Sequence, residues 1–244
     1  MRQCTVFKLG KIPYDEALSF QFELVERARE KKGRNSFLIL LEHPPVITIG
    51  KNGNQRNILV TEETLKRKGI IVRRIDRGGD VTYHGPGQLV GYPILSLSHY
   101  KKSIREYIAA LEECLIQTLT AFGVKAERRP KYIGVWVGEE KIASIGVRVS
   151  GGVTYHGFAL NVDMDLTPFS YLNPCGINKC PITSITKLTD KHPTVGEVAN
   201  ELIDPYNKVF GTQSVVVKTH LSYLPAKEAP PASGGGRDLP KKKD

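Results

Sequence analysis

No stretch of the 244 residues approaches the ~18 consecutive apolar residues that a membrane-spanning helix needs. The N-terminus, Met1-Arg2-Gln3-Cys4-Thr5-Val6-Phe7, has no apolar core leading to a small-residue cleavage site. Nor does it have the Arg- and Ser-rich, acid-poor run of a transit peptide, so a cytoplasmic chain is expected. Cysteine is scarce: Cys4, Cys114, Cys175 and Cys180. Their spacing fits neither a disulfide framework nor a zinc site, and Cys175 and Cys180 form a Cys-x4-Cys without a second pair. Four free thiols are expected, with no metal and no cofactor. No internal repeat and no second linker appear.

What is abundant is positive charge. The chain carries 35 Lys and Arg against 25 Asp and Glu, a net +10. From Pro225 onward the sequence is rich in Pro, Gly and Lys and has almost nothing to bury, so residues 225–244 are expected to be a disordered tail. That tail holds five Lys and Arg and three Asp and Glu, a net +2, which leaves about +8 on the body. The surplus favours an acidic partner. Lys and Arg do not form a stripe interleaved with aromatics, so nucleic acid is not the partner expected. Residues 1–224 read as one domain, about 40% of the whole chain being hydrophobic.

Ala17, Phe20, Leu24 and Ala28 share one helical face and predict a helix over 15–32. Ser103 with Glu106, and Thr194 with Glu197, are capping boxes that open two more; the first is predicted to stop at Gly123 and the second to break at Pro205. A short helix is expected over 62–68. Strands are predicted over 37–41, 46–49, 70–74, 88–94, 133–137, 142–149, 153–162 and 214–217, with Cys4 in a first strand. The order predicts an α+β fold, a mixed sheet with packed helices.

Four segments carry chemistry. Arg77-Gly78-Gly79-Asp80-Val81-Thr82-Tyr83-His84-Gly85-Pro86-Gly87 reads as a glycine-rich loop between two strands. It lacks the Gly-Lys-Ser/Thr ending of a phosphate loop, and no helix opens after it. Lys141 shares a strand face with Ala143, Ile145, Val147 and Val149. A lysine there either snorkels its ammonium to water or sits desolvated and ready to accept a proton. By the same parity His156 lies with Phe158, Leu160 and Val162, either as a hydrogen-bonded core residue or as a reactive one. Cys175 lies between Pro174 and Gly176 in a loop, where reactive groups concentrate. Cys114 sits among Leu111 and Leu115 on a helix and reads as packing.

Taken together these residues resemble a known family. Arg77-Gly78-Gly79, Thr82-Tyr83-His84, Gly87-Gln88, Val90 and Tyr92 match the signature of the octanoyl-[acyl carrier protein]:protein N-octanoyltransferases of lipoate biosynthesis. Glu42-His43-Pro44-Pro45, Lys141-Ile142-Ala143 with His156-Gly157-x-Ala159-Leu160-Asn161, and Pro174-Cys175-Gly176 agree in order. The resemblance covers roughly residues 4–218. Cys180, where a small residue is usual, and the tail depart from it.

The resemblance implies a biotin/lipoate protein ligase-like fold and an acyltransferase. Octanoyl would pass from octanoyl-acyl carrier protein to a lysine of lipoyl domains, those of 2-oxo-acid dehydrogenases and the glycine-cleavage H protein. The enzyme would be a monomer that binds neither nucleic acid nor membrane. The resemblance makes Cys175 the nucleophile and Lys141 its acid/base partner. It assigns substrate binding to Arg77, Gly78, Gly79, Tyr83, His84, Gly85, Ser144, Ile145, Gly146, His156, Gly157 and Ala159. His84 and its loop would shape the acyl pocket; His156 and the Gly157 backbone would steady an oxyanion. An ATP-dependent ligase of the same fold, a cysteine hydrolase and a nucleic-acid-binding module are the competing readings.

Overall fold

The computed structural model describes residues 2–30, 34–174 and 180–217; Cys175 and the expected tail lie outside them. In chain order the elements are β1 (Arg2–Lys11), α1 (Tyr14–Glu30), β2 (Ser36–Glu42), β3 (Val46–Ile49), α2 (Glu62–Arg67), β4 (Ile71–Arg74), β5 (Val81–His84) and β6 (Gln88–Ile94). There follow α3 (Ile104–Ala121), β7 (Glu127–Arg129), β8 (Tyr132–Val137), β9 (Glu140–Ser150), β10 (Val153–Asn161), α4 (Ile185–Leu188), α5 (Val195–Phe210) and β11 (Thr212–Val217).

Two sheets form. The large one runs β11-β1-β2-β6-β10-β9-β8-β7, and the small one β4-β3-β5. β1 lies parallel to β2 and β11, whereas β6, β10 and β9 pair antiparallel, so the large sheet is mixed as expected. Strict alternation sends each strand's residues to two cores. From β2, Leu38 and Leu40 join α3 and α5 on one face, and Phe37, Ile39 and Leu41 join α1 on the other. The small sheet has its own core, where Ile47, Ile49, Val81 and Tyr83 pack with Leu65 and Phe169.

Both capping boxes form. Ser103 and Thr194 each accept from the backbone three residues on, and Glu106 and Glu197 reach back to their caps. The expected break at Pro205 does not occur: α5 runs through it to a left-handed cap at Gly211. Proline costs a helix interior about 3 kcal/mol or more by freeing a carbonyl one turn earlier. That carbonyl belongs to Glu201, an exposed residue. Burial of Val198, Leu202, Tyr206 and Phe210 along one face offsets that cost, at roughly 1.5–3 kcal/mol each.

The segment read as one glycine-rich loop is also corrected. Residues 81–84 are the strand β5, paired antiparallel to β3. The glycines flank it rather than unfold it, because Val81 and Tyr83 have a core to enter. The short polar strand β7 at the sheet's edge was likewise not foreseen.

Gly87, in the link between β5 of the small sheet and β6 of the large one, is fixed on both sides. Its N–H donates to Glu42 Oε2 (2.7 Å), and its carbonyl accepts from Val162 (3.1 Å) and Asp163 (3.0 Å). It adopts φ 82°, and a Cβ there would collide with the Asp163 carbonyl. Gly10 has φ 68° in open space, so Gly10→Ala suffers only the left-handed backbone cost of about 1–2 kcal/mol. Gly87→Ala adds overpacking of about 1–3 kcal/mol. Thermal unfolding is expected to place Gly87→Ala well below Gly10→Ala, by roughly 2–4 °C per kcal/mol; equal losses would show that the close approach contributes nothing.

Candidate active site

A narrow cavity of about 50 Å³ lies between the sheets, room for a few water molecules. Its walls include Ser144, Ile145 and Gly146 of β9 and His156, Gly157 and Ala159 of β10. Arg77, Gly79 and His84 close it from the side of the small sheet. These nine were expected from the sequence. Three others do not reach it. Tyr83 turns into the small sheet's core, with its ring 5.7 Å from that of Phe169. A Cβ on Gly85 would strike that same Tyr83 ring, so Gly85 makes room for it. Gly78 acts through its backbone, donating to Val147 O at 2.9 Å. Among the described residues, no three His, Cys, Asp or Glu form a group able to hold a metal.

A directed chain of hydrogen bonds links His84 to Lys141. Asn161 Nδ2 donates to the Thr183 carbonyl at 2.9 Å. A carbonyl only accepts, so the amide is oriented and Asn161 Oδ1 must face Gln88 Nε2, at 2.9 Å. Gln88 Oε1 therefore faces His84 Nδ1, at 2.8 Å, and that nitrogen carries the proton. Burial lowers the His84 pKa to about 3, so the ring is neutral and its Nε2 is an acceptor. Thr183 N–H in turn donates to the Lys141 carbonyl, at 3.0 Å. Gln88 and Asn161, which carried only the family resemblance, thus fix the state of a cavity residue.

His43 works in the same way one layer behind. Its Nδ1 donates to Ile12 O and its Nε2 accepts from the Tyr92 hydroxyl, both at 2.7 Å. Burial lowers its pKa to about 4, so it too is neutral. Tyr14 and Tyr92 complete the wall around His84, and neither was expected there. Tyr92 was legible in the signature; Tyr14, the first residue of α1, had no signal at all.

Lys141 is 2% exposed and is not on the cavity wall. The pairing of β8 with β9 slips between Val135 and Trp136, setting Trp136 opposite Lys141. The Lys141 Nζ lies 5.4 Å from the Trp136 ring centroid, a cation–π distance. Gly134, at φ 127°, leaves the space for it: a Cβ there would lie 2.6 Å from Lys141 Cε and 3.2 Å from Nζ. Glu112 fixes Gly134 by accepting its N–H at 3.0 Å. The Lys141 N–H donates to the Pro181 carbonyl at 2.8 Å, and Ile182 bridges Lys141 in parallel.

His156 breaks the alternation expected of it. Its φ is 54°, left-handed for a residue with a side chain. As a result Tyr155 and His156, neighbours in one strand, both bond Asp76: Tyr155 through its hydroxyl and His156 through Nε2 at 3.0 Å. Burial alone would raise the Asp76 carboxyl, but the hydrogen bonds from His156 and Tyr155 outweigh it and bring it to about 2. Burial lowers the His156 pKa. A neutral ring that donates through Nε2 offers an acceptor at Nδ1, the opposite of what an oxyanion needs. Asp76 carried no sequence signal.

The other thiols are quiet. Cys4 and Cys114 are 1% exposed; burial pushes the Cys4 pKa up to about 11 and that of Cys114 higher still. Cys180 is also buried.

The description "Lipoyl protein ligase A/B catalytic domain" fits residues 13–206. An octanoyltransferase of Solibacter usitatus is 48% identical over 211 residues, covering 86% of this chain and 94% of that one. An octanoyltransferase of Desulforamulus reducens is 44% identical, over 87% and 93% of the two chains. A bi-partite lipoate protein ligase from Thermoplasma acidophilum shares the fold at TM-score 0.69 and 19% identity, over 90% and 89% of the chains. Lipoate-protein ligase A bound with ATP does so at 0.69 and 18%, over 89% and 91%. The chain therefore belongs to the octanoyltransferases of the lipoyl protein ligase A/B catalytic-domain family.

Proposed function

We propose that this protein transfers an octanoyl group from octanoyl-acyl carrier protein to a lysine of a lipoyl domain through an octanoyl-Cys175 thioester, with Lys141 as the proton carrier. The observation that carries the reading is a lysine amine buried to 2% exposure, whose backbone is bonded on both sides to residues 181 and 183, just after Cys175 in sequence. A neutral amine there takes the thiol proton, and an ammonium there stabilises the thiolate. The high thiol pKa of Cys4 and the burial of Cys114 and Cys180 leave Cys175 as the cysteine suited to nucleophilic attack.

The steps balance without ATP. Lys141 takes the Cys175 proton and the thiolate attacks the donor thioester. One C–S bond forms, the carrier's C–S bond breaks, and the carrier thiol leaves with the proton. The acceptor amine, ordinarily protonated with a pKa near 10.4, must then lose a proton. Lys141 removes it and passes it to solvent, the C–N bond forms as the C–S bond to Cys175 breaks, and the second proton of the attacking nitrogen goes to the leaving Cys175 thiolate. The net positive charge of the chain suits an acidic donor and acceptor by steering their encounter.

Incubation with octanoyl-acyl carrier protein in the absence of ATP is expected to add one octanoyl mass to the enzyme. Cys175→Ser should lose that adduct, and its persistence would overturn the assignment. A requirement for ATP would instead favour an adenylating ligase. Lys141→Arg is expected to cut transfer by about 10²–10⁴-fold, because a guanidinium keeps its charge but does not give up its proton.

Asn161→Leu removes the oriented amide, leaves Thr183 O without its side-chain donor and leaves Gln88 Nε2 only the Tyr83 carbonyl. A loss of about 1–3 kcal/mol in stability is expected, together with slower transfer. Denaturant unfolding and single-turnover transfer measure the two. Transfer at the wild-type rate would show that the orientation of His84 is irrelevant to the reaction.

A further inference from the structure

Resting on the reaction proposed above, we infer that Asp80, acting through Asn57, is a positioning residue for Cys175. Asp80 belongs to the glycine-flanked segment before β5 and has no part in the proton transfers described so far. Its carboxylate accepts three hydrogen bonds. Oδ1 takes the N–H of Val81 at 2.8 Å and that of Asn54 at 3.0 Å, and Oδ2 takes Asn57 Nδ2 at 2.5 Å. Two of the three therefore come from one strap, residues 50–58, which follows β3. The first residues of the strap are held through backbone: Gly50 N–H donates to Asp80 O at 3.1 Å and Lys51 N–H to Arg77 O at 2.9 Å. What ties residues 54–57 to the start of β5 is the Asp80 carboxylate. Asn54, Gln55 and Arg56 are exposed, so apolar burial does not hold them. Hydrogen bonds to a carboxylate are roughly twice as strong as neutral ones and suit that task.

The strap passes this order on to the nucleophile's segment. Asn57 O accepts the Asn173 N–H at 2.8 Å, Leu59 N–H donates to Tyr171 O at 2.8 Å, and Ile58 bridges Leu172 antiparallel. Asn173 is two residues before Cys175 in sequence. One residue, Asn57, thus meets Asp80 with its side chain and Asn173 with its carbonyl. After Cys175, Pro181 and Thr183 are bonded to the Lys141 backbone at 2.8 Å and 3.0 Å. The stretch that carries the thiol is therefore anchored on one side to the backbone of its acid/base partner and on the other to Asp80. A shift of about 1 Å in a reacting group can cost about 10²-fold in rate, so the second anchor matters as much as the first.

Asp80 borders the cavity and Asn57 does not, so substitution of Asn57 tests the anchor without touching the cavity wall. Asn57→Asp sets two carboxylates face to face and should free the strap. Octanoylation of the full chain by octanoyl-acyl carrier protein, read by intact mass, is expected to slow by about 10²-fold. The pH midpoint of Cys175 alkylation should rise to about 8.5, the value of a thiol without a neighbouring cation. A merely structural role would leave that midpoint in place. Asn57→Ala adds no charge and should move rate and midpoint the same way by less; it decides the matter should Asn57→Asp fail to fold. Adding Asp80→Asn to Asn57→Asp exchanges the partners. The new amide at position 80 donates to the new carboxylate at position 57, and its oxygen still accepts from Asn54 and Val81. This double variant is expected to regain the wild-type midpoint and most of the rate. Wild-type rate and midpoint in folded Asn57→Ala, or a double variant as slow as Asn57→Asp alone, overturn the inference. A wild type that takes no octanoyl overturns the proposed reaction itself, and the inference with it.

Discussion

A buried lysine is the constraint on which the rest of this structure turns. Removing an ammonium from water is expensive, and the fold surrounds Lys141 with features whose common effect is to hold it. A slipped register sets an indole opposite it. A glycine at φ 127° clears the space beside its terminal carbons, and Glu112 pins that glycine. None of these features stabilises the sheet for its own sake, since bulges and glycines weaken strands. Together they hold a side chain that the end of a strand would otherwise release to solvent.

The second organising feature is the direction built into the polar chain from Thr183 to His84. One backbone carbonyl orients Asn161, which orients Gln88, which sets the proton on His84. Because Thr183 also bonds the Lys141 backbone, the state of the cavity and the position of the lysine share one anchor. The residues involved come from β5, β6, β9, β10 and the segment after residue 180. Their convergence accounts for signature blocks scattered across more than a hundred residues of sequence.

Much of this was legible beforehand and some was not, for physical reasons. Capping boxes are local, so the starts of α3 and α5 could be read from four residues each. Runs rich in apolar, β-branched and aromatic residues revealed β2, β6 and β10, whose residues enter two cores. Pro205 misled because a local penalty was overruled by burial of the α5 face that carries Pro205 itself. β5 was missed because glycines dominate its neighbourhood, while the core that makes it a strand lies elsewhere in the chain. At His156 parity failed because alternation assumes a regular backbone, and a single left-handed residue cancels it. Asp76 and Tyr14 act only through contacts made at long range, so no window of sequence contains their signal. Tyr83 shows the converse: membership in a signature does not mean contact with the cavity.

The central claim is that the Lys141 amine governs the reactivity of the Cys175 thiol. It is tested most directly by the pH dependence of Cys175 alkylation in the full chain, followed by peptide mass. An ordinary thiol ionises near pH 8.5, and a neighbouring cation lowers that value. The account predicts a wild-type midpoint clearly below 8.5 that returns to the ordinary value in Lys141→Met. Identical midpoints in the two proteins would contradict it.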